Sequence, residues 1–296
     1  MRFTKMHGAG NDYIYLDCLR DPLPEHLPAL ARSISNRHTG IGADGLILIL
    51  PSEHADVRMR MFNADGSEAE MCGNGIRCVA KYAYDHALAR VNPMQIETAK
   101  GIQNLHLSIE NGKVQQVRVN MGQPVFDHKQ IPTALAGTPP LLEKLTLRKR
   151  AQSLLVSSIS MGNPHCVIFT DQFETDDSQI TDQLVHQLGP IIEKHPAFPN
   201  RVNVEFVHEL SRTELQMRVW ERGSGETQAC GSGACAAVVI ASLLERTGRV
   251  VDVHLPGGTL HIEWAEAGDV YLTGPAEEVF HGEMTQAAQN RLQRAA

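Results

Sequence analysis

Two cysteines in this chain occupy near-copies of one motif, Glu68-Ala69-Glu70-Met71-Cys72-Gly73-Asn74-Gly75 and Glu226-Thr227-Gln228-Ala229-Cys230-Gly231-Ser232-Gly233. Each is a Cys-Gly-X-Gly turn with a glutamate four residues before the cysteine and a helix-like apolar run after it. The copies stand 158 residues apart, and the same offset aligns Met59-Arg60 with Met217-Arg218 and Phe62-Asn63 with Trp220-Glu221. A thiol at a helix start meets unpaired backbone N–H groups and the positive end of the helix dipole, which lower its pKa. The glycines let a ligand approach the backbone, and the same amides can hold a carboxylate. A single such cysteine reads equally well as packing. Packing gives no reason to repeat Cys, Gly and Gly together. Two equivalent thiols can take a proton from one face of a carbon and supply one to the other.

Other thiol chemistries fit less well. Oxidoreductase dithiols usually lie two residues apart, not 158. Cys72 and Cys78 are six apart and Cys230 and Cys235 five apart, which does not match a zinc knuckle. No metal site is therefore expected. Cys18, Cys78, Cys166 and Cys235 read as small buried apolar residues. The chain carries no phosphate loop, no dinucleotide fingerprint and no pyridoxal-phosphate lysine motif. The expectation is an enzyme that uses no cofactor and ionises a carbon acid by positioning and electrostatics.

Composition sets the frame for these residues. The 296-residue chain is 42% hydrophobic and 21% charged, the balance of a soluble globular protein with room for two domains. A net charge of −7 argues against nucleic acid as a partner. The one basic cluster, Lys144 to Arg150, reads as solvated surface. No apolar stretch approaches a membrane span, and the N-terminus lacks a signal-peptide core, so no membrane is expected and the cytoplasm is the default address.

The elements that must position the thiols follow from periodicity. Arg2 to Asp17 reads as a strand interrupted by a Gly-rich loop, His7 to Asp12, and Gly45–Leu50 and Val57–Phe62 read as strands. A helix is expected over Ile76–Leu88. Ile102–Ile109 and Val114–Asn120 flank Asn111-Gly112, a hairpin signal. The Pro- and Thr-rich stretch from Gln123 to about Leu145 marks a boundary. Strands are expected again at Ser153–Ile159, Cys166–Thr170, Val202–Val207, Glu214–Trp220, Val250–Leu255, Leu260–Trp264 and Val270–Thr273. A helix over Gly233–Arg246 is apolar on nearly every side and must be covered all round. A strongly curved, mostly antiparallel sheet wrapped about it is the simplest cover, and the repeat predicts the same in the first half. The fold class is thus α+β, with two pseudo-symmetric domains: residues 1–120 plus a C-terminal strand at about 276–296, and residues 121–275.

The blocks Lys5-Met6-His7-Gly8-Ala9-Gly10-Asn11-Asp12, Phe62-Asn63-Ala64-Asp65-Gly66-Ser67, Met71-Cys72-Gly73-Asn74-Gly75, Met161-Gly162-Asn163-Pro164-His165 and Glu221-Arg222-Gly223-Ser224-Gly225-Glu226, running on to Gly233, occur in this order. In them the chain resembles the diaminopimelate epimerase family, from its first residues to about Gly282. The tail from Glu283 to Ala296 carries no motif. The resemblance implies a pyridoxal-independent isomerase that interconverts LL- and meso-diaminopimelate in lysine synthesis, with its site in a cleft between the domains and a homodimeric assembly. It makes Cys72 and Cys230 the acid and base on opposite faces of the substrate α-carbon. Gly73, Asn74, Gly231 and Ser232 would present N–H groups to the adjacent carboxylate. Arg222, with Asn63 and Asn203, would bind the distal carboxylate, because a guanidinium can pair both oxygens. Asn11 and Asn163 would hold the remaining polar groups, and His165 and Glu221 would bias the cysteines. Gly45 stands where some members carry glutamine, so no side-chain contact is expected there.

Each of these residues has a structural reading beside the functional one. Asn11 and Asn163 could cap loops, Asn203 could end a strand, His165 could be a satisfied interior histidine, and Glu221 with Arg222 could be a surface ion pair. Two rival functions remain. A proline- or hydroxyproline-type racemase would have no distal carboxylate for Arg222 and Asn63. A thiol sensor would survive loss of Cys72 as a ligand-binding protein.

Overall fold

The computed structural model describes residues 1–147, 152–173, 180–285 and 287–289. The end of the basic cluster, Arg148 to Arg150, and most of the tail beyond 285 lie outside the described residues. The chain forms two compact units, Met1–Val119 together with the segment from Gly274, and Asn120–Thr273.

The first unit contains β1 (Arg2–Gly8), β2 (Asn11–Asp17), α1 (Leu27–Ser35), β3 (Gly45–Leu50), β4 (Val57–Asn63), β5 (Glu68–Ala69), α2 (Gly73–Asp85), β6 (Met94–Thr98), β7 (Gly101–Glu110) and β8 (Lys113–Asn120). The expected interrupted strand at the N-terminus is a hairpin. Ala9 and Gly10, both at positive φ, form the two-residue turn that joins β1 to β2. Pairing runs β1–β2–β3–β4–β6–β7–β8, antiparallel except β2–β3 and β4–β6, with β5 paired to β4.

The second unit contains β9 (Glu143–Leu147), β10 (Gln152–Ser160), β11 (Pro164–Phe169), α3 (Asp182–Glu193), β12 (Asn203–Ser211), β13 (Glu214–Glu221), β14 (Gly225–Thr227), α4 (Gly231–Leu243), β15 (Val250–Leu255), β16 (Gly258–Trp264) and β17 (Val270–Pro275), whose last two residues fall in the first unit. Its order, β9–β10–β11–β12–β13–β15–β16–β17, is antiparallel except β11–β12 and β13–β15, and β14 pairs with β13. Each parallel pair recurs at the same place in both units, so the repeat extends from the cysteine motif to the whole connection pattern. The last strand, β18 (Glu277–Glu283), pairs antiparallel with β1, as β9 does with β10.

Each sheet carries a helix on both faces. β3 is buried along almost its whole length because Leu46 and Leu48 meet the apolar stripe of α1 (Leu27, Leu30, Ala31, Ile34), while Ile47 points the other way, under the first turn of α2. A strand covered on both faces loses the alternation of a half-exposed one. In the second unit Val185, Leu188 and Ile192 of α3 pack on Leu154, Val156, Cys166, Ile168, Val204 and Phe206. The opposite face holds α4, whose residues from Gly233 to Ala241 are all buried. That is the all-round cover its composition demands.

Both central helices start and stop about three residues before the sequence reading places them. The stop is a backbone reversal without glycine: Ala87 and Glu245, 158 residues apart, each adopt φ 57°. The Leu88 and Arg246 N–H groups then return to the Ala83 and Ala241 carbonyls, at 2.8 and 2.9 Å. α1 and α3 have no counterpart in that reading. α1 begins with Pro28 in its first turn and a left-handed His26 before it, and α3 contains Pro190. β5, β6, β9 and β14 are likewise short elements that the periodicity does not announce.

Candidate active site

The glutamates four residues before each cysteine have a shared purpose. Arg60 Nε donates to Glu68 Oε1 at 2.8 Å, and Arg218 Nε donates to Glu226 Oε1 at 2.7 Å. These are the Arg and Glu positions of the repeat, and each pair clips a two-stranded ribbon (β4–β5 or β13–β14) whose end delivers the cysteine.

Cys72 is the N-cap of α2 in extended conformation, and its sulfur accepts the Gly75 N–H at 3.4 Å. Gly75 N–H and the Ile76 N–H, which reaches the Cys72 carbonyl, are thereby used. Gly73 and Asn74 supply the other N–H groups of this first turn. Asn11 Oδ1 lies 3.5 Å from Cys72 Sγ and accepts from Asn74 Nδ2 at 3.2 Å. Its amide is oriented by Asp44, whose Oδ2 accepts Asn11 Nδ2 at 2.7 Å. Asp44 belongs to a network with Asp12, Lys5 and Arg37. Burial and the neighbouring Asp12 charge push the Asp44 carboxyl up. Burial acts the same way on Asp12, but bonds from Arg37 and Lys5 outweigh it and hold that carboxyl below its usual value. Beneath the turn, the wholly buried Arg77 donates to Gly73 O and Asn74 Oδ1 at 3.0 Å each and to Pro275 O at 3.2 Å. Asn63 stands at the end of β4 and donates to Ser67 Oγ at 3.0 Å, within its own turn and not to the Cys72 cluster.

Cys230 is the N-cap of α4, is 6% exposed, and accepts the Gly233 N–H at 3.4 Å. Ser232 Oγ lies 3.6 Å from its sulfur. Gly231 and Ser232 supply the first-turn N–H groups. The expectation of a lowered pKa fails at this thiol. Burial, then the charges of Glu221 and Glu205, push Cys230 well above the usual cysteine value, against the Ser232 and Gly233 bonds. The helix start alone therefore does not decide the ionisation.

His165 on β11 is completely buried, with Nδ1 2.7 Å from Glu205 Oε1 and Nε2 2.9 Å from Asn163 Oδ1. Asn203 uses its amide on the backbone: Nδ2 donates to Pro164 O at 2.9 Å, and Oδ1 accepts the Arg222 N–H at 2.8 Å. It thus fixes the main chain of Arg222. The Arg222 guanidinium is exposed, reaches Asn200 O at 3.5 Å, and makes no salt bridge among the described residues, so the surface ion pair with Glu221 is absent. Glu221 Oε1 accepts the Thr227 hydroxyl at 2.5 Å.

The first unit therefore gathers Asn11, Cys72, Gly73 and Asn74, with Asn63 apart. The second gathers Asn163, His165, Glu221, Cys230, Gly231 and Ser232, with Asn203 and Arg222 joined beside them. Asp44, Arg77 and Glu205 are the supporting residues that motif reading passes over. Glu205 had a visible signal: it is the one charged residue in the apolar run Val202–Val207. All six cysteines are free thiols; Cys78, Cys166 and Cys235 are buried as expected, and Cys18 is half-buried.

Known proteins share this pattern. The family model described as Diaminopimelate epimerase matches residues 3–126 and 157–279. The diaminopimelate epimerase of Pelotomaculum thermopropionicum is 51% identical over 284 residues, covering 96% of this chain and 98% of that one. That of Moorella thermoacetica is also 51% identical over 284 residues, covering 96% and 99%. Among solved structures, a probable proline racemase from Agrobacterium radiobacter has a TM-score of 0.69 at 16% identity, covering 96% of this chain and 93% of that one. A hydroxyproline epimerase from Agrobacterium vitis has 0.65 at 15%, covering 96% and 90%. At those identities the likeness is one of fold, whereas the family match spans most of the sequence and includes both cysteine turns: the chain belongs to the diaminopimelate epimerase family.

Proposed function

We propose that this chain interconverts LL-2,6-diaminopimelate and meso-2,6-diaminopimelate, as an isomerase of lysine biosynthesis, using Cys72 and Cys230 as a thiolate–thiol pair. The observation that carries the reading is identity of about half over nearly the full length to diaminopimelate epimerases, in a chain whose two helix-capping thiols recur at one offset.

The chemistry needs only the chain's own residues. One sulfur, as thiolate, takes the α-proton; the electron pair left on carbon spreads into the neighbouring carboxylate. The other sulfur, as thiol, gives a proton to the opposite face, and the inverted centre results. Nothing is oxidised or reduced, and the two sulfurs have exchanged states, which solvent proton exchange resets. The Gly73, Asn74, Gly231 and Ser232 N–H groups receive the carboxylate as its charge grows, where preorganised donors and helix dipoles contribute most. Arg222 takes the distal carboxylate with Asn63, and Asn203 sets the Arg222 backbone. Asn11 and Asn163 hold the remaining polar groups, and His165 and Glu221 bias the thiols. A distal carboxylate also separates this substrate from proline-type monocarboxylates. The family setting further implies a cytoplasmic homodimer, and light scattering of the purified protein tests the dimer.

Incubation with LL-diaminopimelate in D₂O without added cofactor, followed by NMR, tests the function. Deuterium at the α-position and appearance of the meso isomer are expected. If neither occurs, the proposal fails.

A further inference from the structure

The repeat is broken at one buried position. Ile47 on β3 and Glu205 on β12 are 158 residues apart and lie under the first turns of α2 and α4. A Cβ placed on Gly75 would stand 2.6 Å from Ile47 Cδ1, and one placed on Gly233 would stand 2.8 Å from Glu205 Oε1. These two glycines donate the N–H bonds to the Cys72 and Cys230 sulfurs. Hydrocarbon therefore floors one cysteine turn and a carboxylate floors the other. The neighbouring strand follows suit. His165 lies beside Asn203 in the β11–β12 register, where Tyr13 lies beside Gly45 in β2–β3.

Glu205 is fully buried, and its Oε1 lies 2.7 Å from His165 Nδ1. Its Oε2 finds no hydrogen-bond partner among the described residues. A buried carboxylate with an unsatisfied oxygen opposes folding. Ile47 shows that an apolar side chain fills the equivalent space in this fold. The charge thus has no packing reason to be there.

We propose that Glu205 is a positioning residue that keeps Cys230 a neutral thiol in the free protein, so that Cys230 begins as proton donor and Cys72 as proton acceptor. This rests on the two-thiol reading above. A fixed negative charge under a helix start opposes the dipole that would otherwise favour the thiolate. His165 pins that charge against Gly233 by its bond to Oε1. Burial comes first in raising the Cys230 pKa, followed by Glu221 at the end of β13 and Glu205 on β12, and the ionisable His165 on β11 faces the same Glu205 oxygen. On β15 and β16, Asp252 pairs with His261, and His254 with Glu214, on exposed positions.

The test is the rate of iodoacetamide alkylation of each cysteine, resolved by peptide mass spectrometry on the full chain across roughly pH 6 to 10. In the unsubstituted protein the Cys230 midpoint should lie above that of Cys72. In Glu205→Gln, which keeps shape and removes charge, the Cys230 midpoint should fall by about one pH unit, an approximately tenfold faster reaction near neutrality, while Cys72 stays put. Coincident midpoints in the unsubstituted protein, an unmoved Cys230 in folded Glu205→Gln, or an equal shift of both thiols would overturn the proposal. Should Glu205→Gln not fold, Glu205→Ile, which places the residue of the other turn there, is read by the same criteria. No turnover is needed, so failure of the D₂O experiment would sink the function while leaving this result interpretable.

Discussion

Asp44 accepts the Asn11 side-chain amide at 2.7 Å, and this leaves the Asn11 carbonyl oxygen 3.5 Å from the Cys72 sulfur. The carboxylate thereby chooses which end of the amide faces the thiol. Asp44→Ala should free the amide and lower kcat/KM by about tenfold, the worth of one well-placed hydrogen bond. The Arg37 pair it also breaks is exposed and contributes little to stability. Steady-state kinetics with an unchanged melting temperature would support this, and kinetics within twofold of the parent would refute it.

Arg77 does its work in the fold. Its guanidinium joins Gly73 O and Asn74 Oδ1 to Pro275 O, so it braces the Cys72 turn and the chain just before β18. Arg77→Ala would remove all three bonds and the wholly buried guanidinium from this turn and should cost about 3 kcal/mol of stability. Urea unfolding measures it. A midpoint equal to that of the parent would show that the brace is dispensable.

Arg222 offers an exposed guanidinium whose backbone is held by Asn203. Arg222→Lys keeps the charge but not the fork geometry. We expect KM for diaminopimelate to rise about tenfold with a smaller change in kcat, the pattern of lost ground-state binding. A lower kcat at unchanged KM would place Arg222 outside substrate recognition.

Alkaline pH should weaken the fold through its buried thiols. Burial pushes Cys78 up to about 11 from an ordinary 9.0, and it pushes Cys166 well above its usual value too. A raised thiol pKa means that the folded state favours the protonated form. The contribution is whole below pH 9 and is lost as pH climbs toward 11. From Cys78 alone the loss between pH 8 and 10 is about 1.4 kcal/mol. Denaturant titrations at those two pH values should show a smaller loss in Cys78→Ala than in the parent, and equal losses would contradict the assignment.

Much of this was legible in one dimension. The α4 run from Ala234 to Ala241 has no polar face, so burial on all sides followed from composition. The cysteine turns, Asn111-Gly112 and the alternating strands were local patterns, and the candidate site residues came from the family blocks. α1 and α3 were not legible because their proline and short length weaken the helical signal, and tertiary cover by the outer faces of the sheets stabilises them. The early ends of α2 and α4 depend on Ala87 and Glu245 taking a conformation that neither residue type advertises.

The two Cys-Gly-X-Gly turns themselves were fixed by sequence, down to their offset. Their ionisation was not. A thiol at a helix start is an expectation from local backbone electrostatics, and for Cys230 burial and the carboxylates of Glu221 and Glu205 reverse it. Those groups come from separate strands, and only the folded sheet brings their charges within range of one sulfur. Ile47 under one turn and Glu205 under the other give like motifs unlike surroundings. Electrostatic energy depends on distance and solvent exclusion, and both are properties of the tertiary structure.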